Sequence, residues 1–198
     1  MKTIRAKHFL ALALLAAGAA QAQTPPDQPT TSSPTRVATK AATSALTQAQ
    51  ALGVLSAVNQ AEIGAGQLAE RKVANGPVRD YAARMVKEHG DNDRKLQAWK
   101  PDRGSPLAAA QSTKGKQELA KLGALEEDAF RKAYIEAMIK DHTAALDVID
   151  HQLLPAAQDA QVRAFLQETR THVAAHLDAA KRLQGDDGAV AVKDGPTG

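Results

Sequence analysis

Two nine-residue stretches decide the fold that this sequence predicts: "YAARMVKEH", residues 81–89, and "YIEAMIKDH", residues 134–142. Both follow the pattern Tyr-x-x-x-Met-(Val/Ile)-Lys-(Asp/Glu)-His. The Tyr, Met and His side chains recur every four residues, a spacing that places them on one face of an α-helix. The repeated pattern therefore indicates two amphipathic helices whose inward faces carry the same residue types in the same order.

Helical periodicity extends over most of residues 46–184. Apolar residues recur at intervals of three and four, alanine is abundant and runs of β-branched residues are missing. Asn75-Gly76-Pro77 ends one helix and starts the next, Pro155 predicts a kink or stop, and Asp159 is suited to an N-cap. The predicted long helices span residues 47–74, 77–100, 125–154 and 159–183, with a loop at 101–113 and a short helix at 113–122.

The fold class that follows is all-α. Four helices of similar length, joined in two pairs by tight turns, predict an up-down-up-down four-helix bundle in which both turns lie at the same end. Each helix has a polar side, so its stability has to come from a buried stripe rather than from helix propensity alone.

The two ends of the chain are not part of the predicted bundle. Residues 1–22 have a basic start, an apolar run and a small-x-small site, which is the pattern of a signal peptide cleaved after Ala22. Residues 23–45 form a Pro/Thr/Ser-rich lead, and residues 185–198 form a tail; both are expected to be disordered. The expected location of the mature protein is therefore the periplasm or the extracellular space.

Charge and composition exclude several classes of function. Three of the 25 basic residues lie in the leader, which has no acidic residue, so the mature chain is neutral with 22 residues of each sign. A neutral chain gives no electrostatic reason to expect nucleic acid as a partner. The chain has no Cys, which excludes disulfides, thiolate catalysis and Cys-based zinc sites. We expect neither a transmembrane segment nor a lipid anchor in the mature chain.

The stripes are apolar near their ends and polar in the middle, where the histidines lie. With both turns at one end, the rise of ~1.5 Å per residue places the central polar groups about 20–27 Å from that end. They are expected to form one polar layer across the core. Three ways to satisfy it remain open: a hydrogen-bond network closed by Glu62 and a tyrosine, a bound metal ion, or contact of the histidines with water.

The metal interpretation has a defined set of candidate ligands. Met and His four residues apart share a helical face, and imidazole with thioether or carboxylate suits copper or zinc. No Glu-x-x-His occurs in the mature chain, which argues against a di-iron site. His151 and the charged residues Lys87, Glu88, Lys140 and Asp141 are expected to be solvated. The candidate ligands are Glu62, His89, His142, His172, His176, Met85 and Met138.

Several of these residues also carry a family resemblance. The stretches at residues 59–96, 130–150 and 176–183 resemble the bacterial secreted domain of unknown function 4142, a family grouped with ferritin-like four-helix bundles and often labelled as outer-membrane proteins. The resemblance covers residues 47–184 and rests on Glu62, Tyr134, His176-Leu177 and the two Met-x-x-x-His pairs. The chain departs from the family at Phe130-Arg131 and at Thr169-Arg170-Thr171, so the resemblance does not imply His172. It implies the fold and no reaction.

The sequence gives little support for an enzyme. It has no Gly-x-Ser-x-Gly motif and no glycine-rich phosphate loop. Three functions stay open: a non-catalytic envelope protein, related to stress, whose polar layer is structural; a protein that binds copper or zinc through that layer; and a structural protein that docks an envelope partner through an exposed apolar patch.

Overall fold

A computed structural model describes the backbone of residues 46–193 and the side chains of residues 46–185. The expected signal peptide and lead, residues 1–45, lie outside the described residues. The described part is helical and contains no strand, and none of its helices is long and apolar enough to cross a membrane. Its helices are α1 (Gln48–Lys72), α2 (Pro77–Leu96), α3 (Pro106–Gly123), α4 (Glu127–Val148), α5 (Leu154–Ala156) and α6 (Ala160–Lys193).

Local signals set the ends of α1 and α2. Thr47 and Gln50 form a capping box at the start of α1, which satisfies backbone N–H groups that have no partner within the helix. Gly76 has a φ of 92°, and Pro77 starts α2, as the sequence predicts. The helices pack closely because Gly66 has no side chain: a Cβ atom there would lie 2.8 Å from Cγ2 of Val86.

The expected loop at residues 101–113 is confirmed for residues 101–105 and is wrong from residue 106 onward. α3 begins at Pro106 and runs for 18 residues, with the Ser105 side chain accepting a hydrogen bond from the Ala108 amide. Ser at the N-cap followed by Pro at the first position is a helix start signal. α3 packs along α1 where Gly115 faces Ala61, since a Cβ atom on Gly115 would lie 2.6 Å from that of Ala61.

The second half of the chain is one interrupted helix and one long helix. α4 continues through a π-helical turn, Ile149–Leu153, into α5, which contains Pro155. The Asp159 side chain accepts from the amides of Gln161 and Val162 at 2.6 and 3.3 Å and caps α6, as predicted. α6 does not end near Leu183, because its backbone stays helical to Lys193.

The predicted up-down-up-down order is also wrong. α1 and α3 run in the same direction, since Ala61 lies against Gly115 and Leu68 against Gly123. The Gln48 side chain accepts from the amides of residues 158 and 159 at 2.9 Å, which places the second turn at the opposite end from Gly76. Pairs of contacts between helices show α2 antiparallel to α1, α4 antiparallel to α3, and α6 antiparallel to α4. α3 therefore carries the chain back along α1 to the end at which α2 began. α4 starts from that end too, and so α2 and α4 are parallel.

The core has two apolar clusters with polar residues between them. One cluster is centred on Met85, Phe130 and Tyr134, and the other on Leu52 and Leu166. This confirms the predicted stripes, apolar toward their ends and polar in the middle. The buried polar side chains of the helices are those of Ser56, Asn59, Glu62, His89, Asp93, His142, Thr169 and His176.

Candidate functional site

Three histidines from three helices meet in the polar layer. His89 on α2, His142 on α4 and His176 on α6 are each at most 5% exposed. Their ring centroids lie 5.2 to 5.7 Å apart, and one ring nitrogen of each lies within 4.8 Å of the others. The polar middles of three separate stripes thus form one histidine cluster.

Two of the imidazoles have an oxygen acceptor beside one ring nitrogen. We call that nitrogen the outer one and the other the inner one. Nδ1 of His142 lies 2.8 Å from the carbonyl oxygen of Met138. Nε2 of His176 lies 2.6 Å from Oε2 of Glu88. A carbonyl or carboxylate oxygen only accepts, so both of these outer nitrogens carry the proton and donate.

The tautomer of His89 is fixed by a hydrogen-bond relay. Thr169 donates to the carbonyl of Phe165 at 2.9 Å and therefore accepts from Nδ2 of Asn92 at 2.7 Å. Oδ1 of Asn92 then accepts from Asn59 at 2.8 Å, which turns Oδ1 of Asn59 toward Nδ1 of His89 at 3.0 Å. Because the relay ends on a backbone carbonyl, each of its donors points the same way, and Nδ1 of His89 is a donor.

The inner nitrogens have no partner. Nε2 of His89, Nε2 of His142 and Nδ1 of His176 are buried and make no hydrogen bond. Since the outer nitrogen of each neutral ring carries the proton, each inner nitrogen presents a lone pair. Three buried lone pairs without a donor thus belong to rings whose centroids lie 5.2 to 5.7 Å apart, an arrangement that costs free energy unless something binds them.

The cluster is neutral near pH 7. Burial lowers the pKa of His89 well below its usual value, and the neighbouring His142 and His176 lower it further. Burial likewise lowers the pKa of His142 to about 4. Burial lowers the pKa of His176, although its hydrogen bond to Glu88 acts in the opposite direction. Neutral imidazole is the form that binds metal ions.

The other predicted ligands are placed differently. His172 is exposed, so its assignment to the inward stripe of α6 is wrong, whereas His151 is exposed as predicted. Met85 and Met138 are buried in the apolar cluster around Phe130. Glu62 is buried, but in the described part of the chain no carboxylate oxygen lies within 4.8 Å of all three histidines.

The closed network that the sequence allowed does not form. Oε2 of Glu62 and the hydroxyl of Tyr134 are buried without a hydrogen bond. The hydroxyl of Tyr81 donates to the backbone carbonyl of His176 at 3.3 Å and not to a carboxylate. None of the three histidines contacts Glu62 through its outer nitrogen.

Sequence reasoning missed the residues that orient the rings. Glu88 was expected to be solvated together with Lys87, yet it holds His176. Asn59, Asn92 and Thr169 fall on the inward stripes, but the stripes do not reveal that they form one relay. The one signal in the sequence for these orienting residues was that they are polar and lie close to a predicted ligand.

The residues of the cluster are of a kind that can hold a metal ion. Histidines that bind metal usually donate their other ring N–H to an oxygen, which fixes the tautomer and the ring orientation. All three rings have such a partner: an amide oxygen, a backbone carbonyl and a carboxylate. Three neutral imidazoles are ligands that suit zinc or copper.

Fold and cluster together define an all-α protein with a buried three-histidine centre. The model of the DUF4142 family, a domain of unknown function, matches residues 32–183. The chain belongs to this family, which confirms the resemblance that the sequence carries. No curated protein and no solved structure matches the chain.

Proposed function

We propose that this protein binds one copper or zinc ion in the periplasm or outside the cell, through His89, His142 and His176. The observation that carries the proposal is that three buried histidines meet, and that each has an unpartnered ring nitrogen, made an acceptor by the hydrogen bond at the other nitrogen of its ring. The location rests on the signal peptide that residues 1–22 predict. The ion would stabilise the fold and be retained or handed on; no catalytic step is part of the proposal.

A purely structural polar layer is the weaker explanation. Such a layer has to pair its donors with its acceptors, because an unpaired buried group costs about 1–3 kcal/mol. Here each of the three histidines has one buried nitrogen that acts as an acceptor and makes no hydrogen bond within the protein. A metal ion binds closer than water does, at about 2.0–2.1 Å from imidazole nitrogen.

The donor set favours zinc or copper over iron. Neutral nitrogen ligands suit zinc and copper, whereas calcium and magnesium prefer oxygen. The di-iron carboxylate sites of ferritin-like proteins need four Glu and two His, and the mature chain has no Glu-x-x-His. The sulfurs of Met85 and Met138 stay candidates for an additional weak copper ligand, since both side chains are buried in the adjoining apolar cluster.

We also propose a ferritin-like arrangement for the helices. In such folds one long crossover connects two antiparallel helix pairs. The segment between α2 and α4, which includes α3, meets that description. Metal sites of such bundles are built from side chains that project inward from facing helices, as His89, His142 and His176 do.

The partner-binding alternative predicts an exposed apolar patch. Among the side chains that the structure describes, Leu107 is the exposed large hydrophobic one, at 50%. A single exposed leucine is ordinary for a protein surface. No observation in this part of the chain therefore favours a docking function over metal binding.

A metal titration tests the proposal. The protein is purified from a periplasm, stripped with a chelator and titrated with Zn(II), Cu(I), Cu(II) and Co(II), the last as a spectroscopic probe of coordination geometry. We expect one equivalent to bind, with nitrogen hyperfine structure in the Cu(II) spectrum. At 100 times the dissociation constant, the ion should stabilise the fold by about 2.7 kcal/mol.

Histidine variants locate the binding. We expect His89→Gln, His142→Gln and His176→Gln each to weaken binding at least tenfold, because each removes one ligand. His151→Gln and His172→Gln are matched controls, since both rings are exposed. The proposal is wrong if none of these ions binds, or if the two controls weaken binding as much as the cluster variants do.

A further inference from the structure

A second candidate site lies between α1, α3 and α4. These helices enclose a cavity of about 110 Å³. Most of its wall is apolar, with Val54 and Val58 from α1, Leu119 and Leu122 from α3, and Met138 from α4 among the lining residues. The cavity can therefore take the apolar part of a small molecule.

One carboxyl group is buried in the lining of this cavity. The Glu62 side chain is only 5% exposed, and its Oε2 atom has no hydrogen-bond partner. A buried acid without a partner destabilises the fold when it is charged. The position therefore invites a ligand that brings a complementary charge.

The other charged groups of the lining are already paired. Lys114 and Asp141 form an ion pair at 3.2 Å, and Glu118 pairs with Lys140 at 3.3 Å. Among the described residues of the lining, Glu62 is the acid that forms no ion pair, although the charge of Lys114 acts on it. With Lys114, Glu118 and Asp141 it gives the lining three acids and one base, a balance that attracts cations.

We propose that this cavity binds a small alkylammonium ion, a primary amine in its protonated form, with its apolar chain in the cavity and its charged head at Glu62. The cavity adjoins the histidine cluster at Met138, whose carbonyl oxygen lies against His142, but none of the three histidines lines it. A cavity of 150 Å³ accommodates benzene, so this smaller cavity suits a chain of about four carbon atoms.

The protonation of Glu62 predicts how the affinity for the ligand depends on pH. Burial raises the pKa of Glu62 to about 8, with Asp141 adding to the effect and Lys114 opposing it. An ammonium ion binds the ionised carboxylate, so binding has to displace the proton. Below that pKa the affinity should fall about tenfold for each pH unit, whereas the ammonium ion itself stays charged.

The test is an NMR titration with n-butylammonium chloride, using n-butanol and sodium butyrate as ligands of matched size. We expect millimolar affinity for butylammonium at about pH 8, at least tenfold weaker binding of butanol, and no binding of butyrate. Glu62→Gln, which keeps the size of the side chain, should weaken butylammonium binding at least tenfold and leave butanol binding unchanged. His151→Gln serves as the control variant.

Further measurements keep the test decisive. Ala144 lines the cavity and is otherwise exposed, so Ala144→Leu should reduce the binding of both butylammonium and butanol by filling space. If Glu62→Gln does not fold, two other measurements test the proposal: the pH dependence of butylammonium binding by the unmutated protein, and the binding of both ligands by Ala144→Leu. The proposal is overturned if butylammonium and butanol bind equally well, if affinity does not change with pH, or if no saturable binding occurs. Zinc binding by Glu62→Gln should equal that of the unmutated protein.

Discussion

Two polar groupings share helix α2, one around its buried residue Asp93 and one around its buried residue His89, and they differ in one respect. The Asp93 cluster, made of Ser56, Gln60, Asp93 and Arg103, is closed. Asp93 accepts from Ser56 at 2.7 Å, from Gln60 at 2.9 Å and from Arg103 at 3.3 Å. The histidine cluster is satisfied on its outside and unsatisfied on its inside.

The difference separates a structural network from a binding site. In the Asp93 cluster, Arg103 also donates to Ser56 at 2.8 Å, so the carboxylate and the hydroxyl both have partners within the protein. The cluster ties α1, α2 and the segment before α3 together. The histidine cluster uses the same kinds of bonds to orient its rings and then leaves their lone pairs without a donor. Measurements of stability test whether the two clusters differ in this way.

The largest expected effect is acid sensitivity of the metal-free histidine cluster. The pKa of His142 is about 4 in the folded protein, against 6.5 for the ordinary side chain. The unfolded state therefore takes up the proton first, and stability falls as the pH drops from 6.5 toward 4. A shift of this size corresponds to about 3 kcal/mol for His142 alone.

The stability that Glu62 contributes changes with pH in the opposite direction, so the contribution of Glu62 has to be removed from that measurement. Its pKa is raised to about 8, so its contribution to stability is fully present below 4.5 and is lost as the pH rises to about 8. Urea unfolding is therefore measured across this range for Glu62→Gln and for Glu62→Gln with His142→Leu. The double variant should lose about 3 kcal/mol less on acidification. Equal losses would contradict a buried, neutral His142.

A smaller effect is expected in the closed cluster. Asp93→Ala leaves Ser56 and Gln60 without their acceptor, and Ser56 is almost fully buried. We expect a loss of about 2 kcal/mol in the free energy of unfolding, with or without metal. Asp147→Ala is the matched control, because Asp147 is 71% exposed, and it should leave stability nearly unchanged. A loss that appears only in the metal-bound protein would contradict the structural assignment of the Asp93 cluster.

The smallest effect is expected for His142→Leu without metal near neutral pH. The substitution removes a lone pair that has no partner, and the Met138 carbonyl keeps its helical hydrogen bond. Stability at about pH 7.5 should stay within about 1 kcal/mol of the unmutated protein, while the stabilisation by zinc disappears. A loss as large as that of Asp93→Ala would make the cluster a structural network.

The parts of the fold that the sequence predicted correctly are those that depend on local signals. Thr47, the Gly76-Pro77 turn and Asp159 each act through hydrogen bonds or dihedral angles within a few residues. Ser105-Pro106 is a signal of the same kind, but Gly and Ser near it are equally typical of a loop. The missed helix changed the topology, because α3 returns the chain before α4 begins.

The histidine layer was predicted although the topology behind the prediction was wrong. Glu62, His89, His142 and His176 lie near the middle of helices of comparable length, so their heights agree whichever end carries the turns. Periodicity could not predict which of two histidines one turn apart is buried, because the contacts of α6 with α2 and α4 decide it. His172 was misplaced for that reason, and Glu88 was missed because its partner lies on another helix.

The π-helical turn before Pro155 has a consequence for the histidine cluster. Proline removes a backbone donor, and its ring clashes with the carbonyl four residues earlier; a wider turn relieves that clash. One residue more or less at this position would shift the following chain by about 1.5 Å and rotate it by about 100°. The irregular end of α4 thus acts as a spacer that sets the register at which α6 returns, and with it the height at which His176 meets His142.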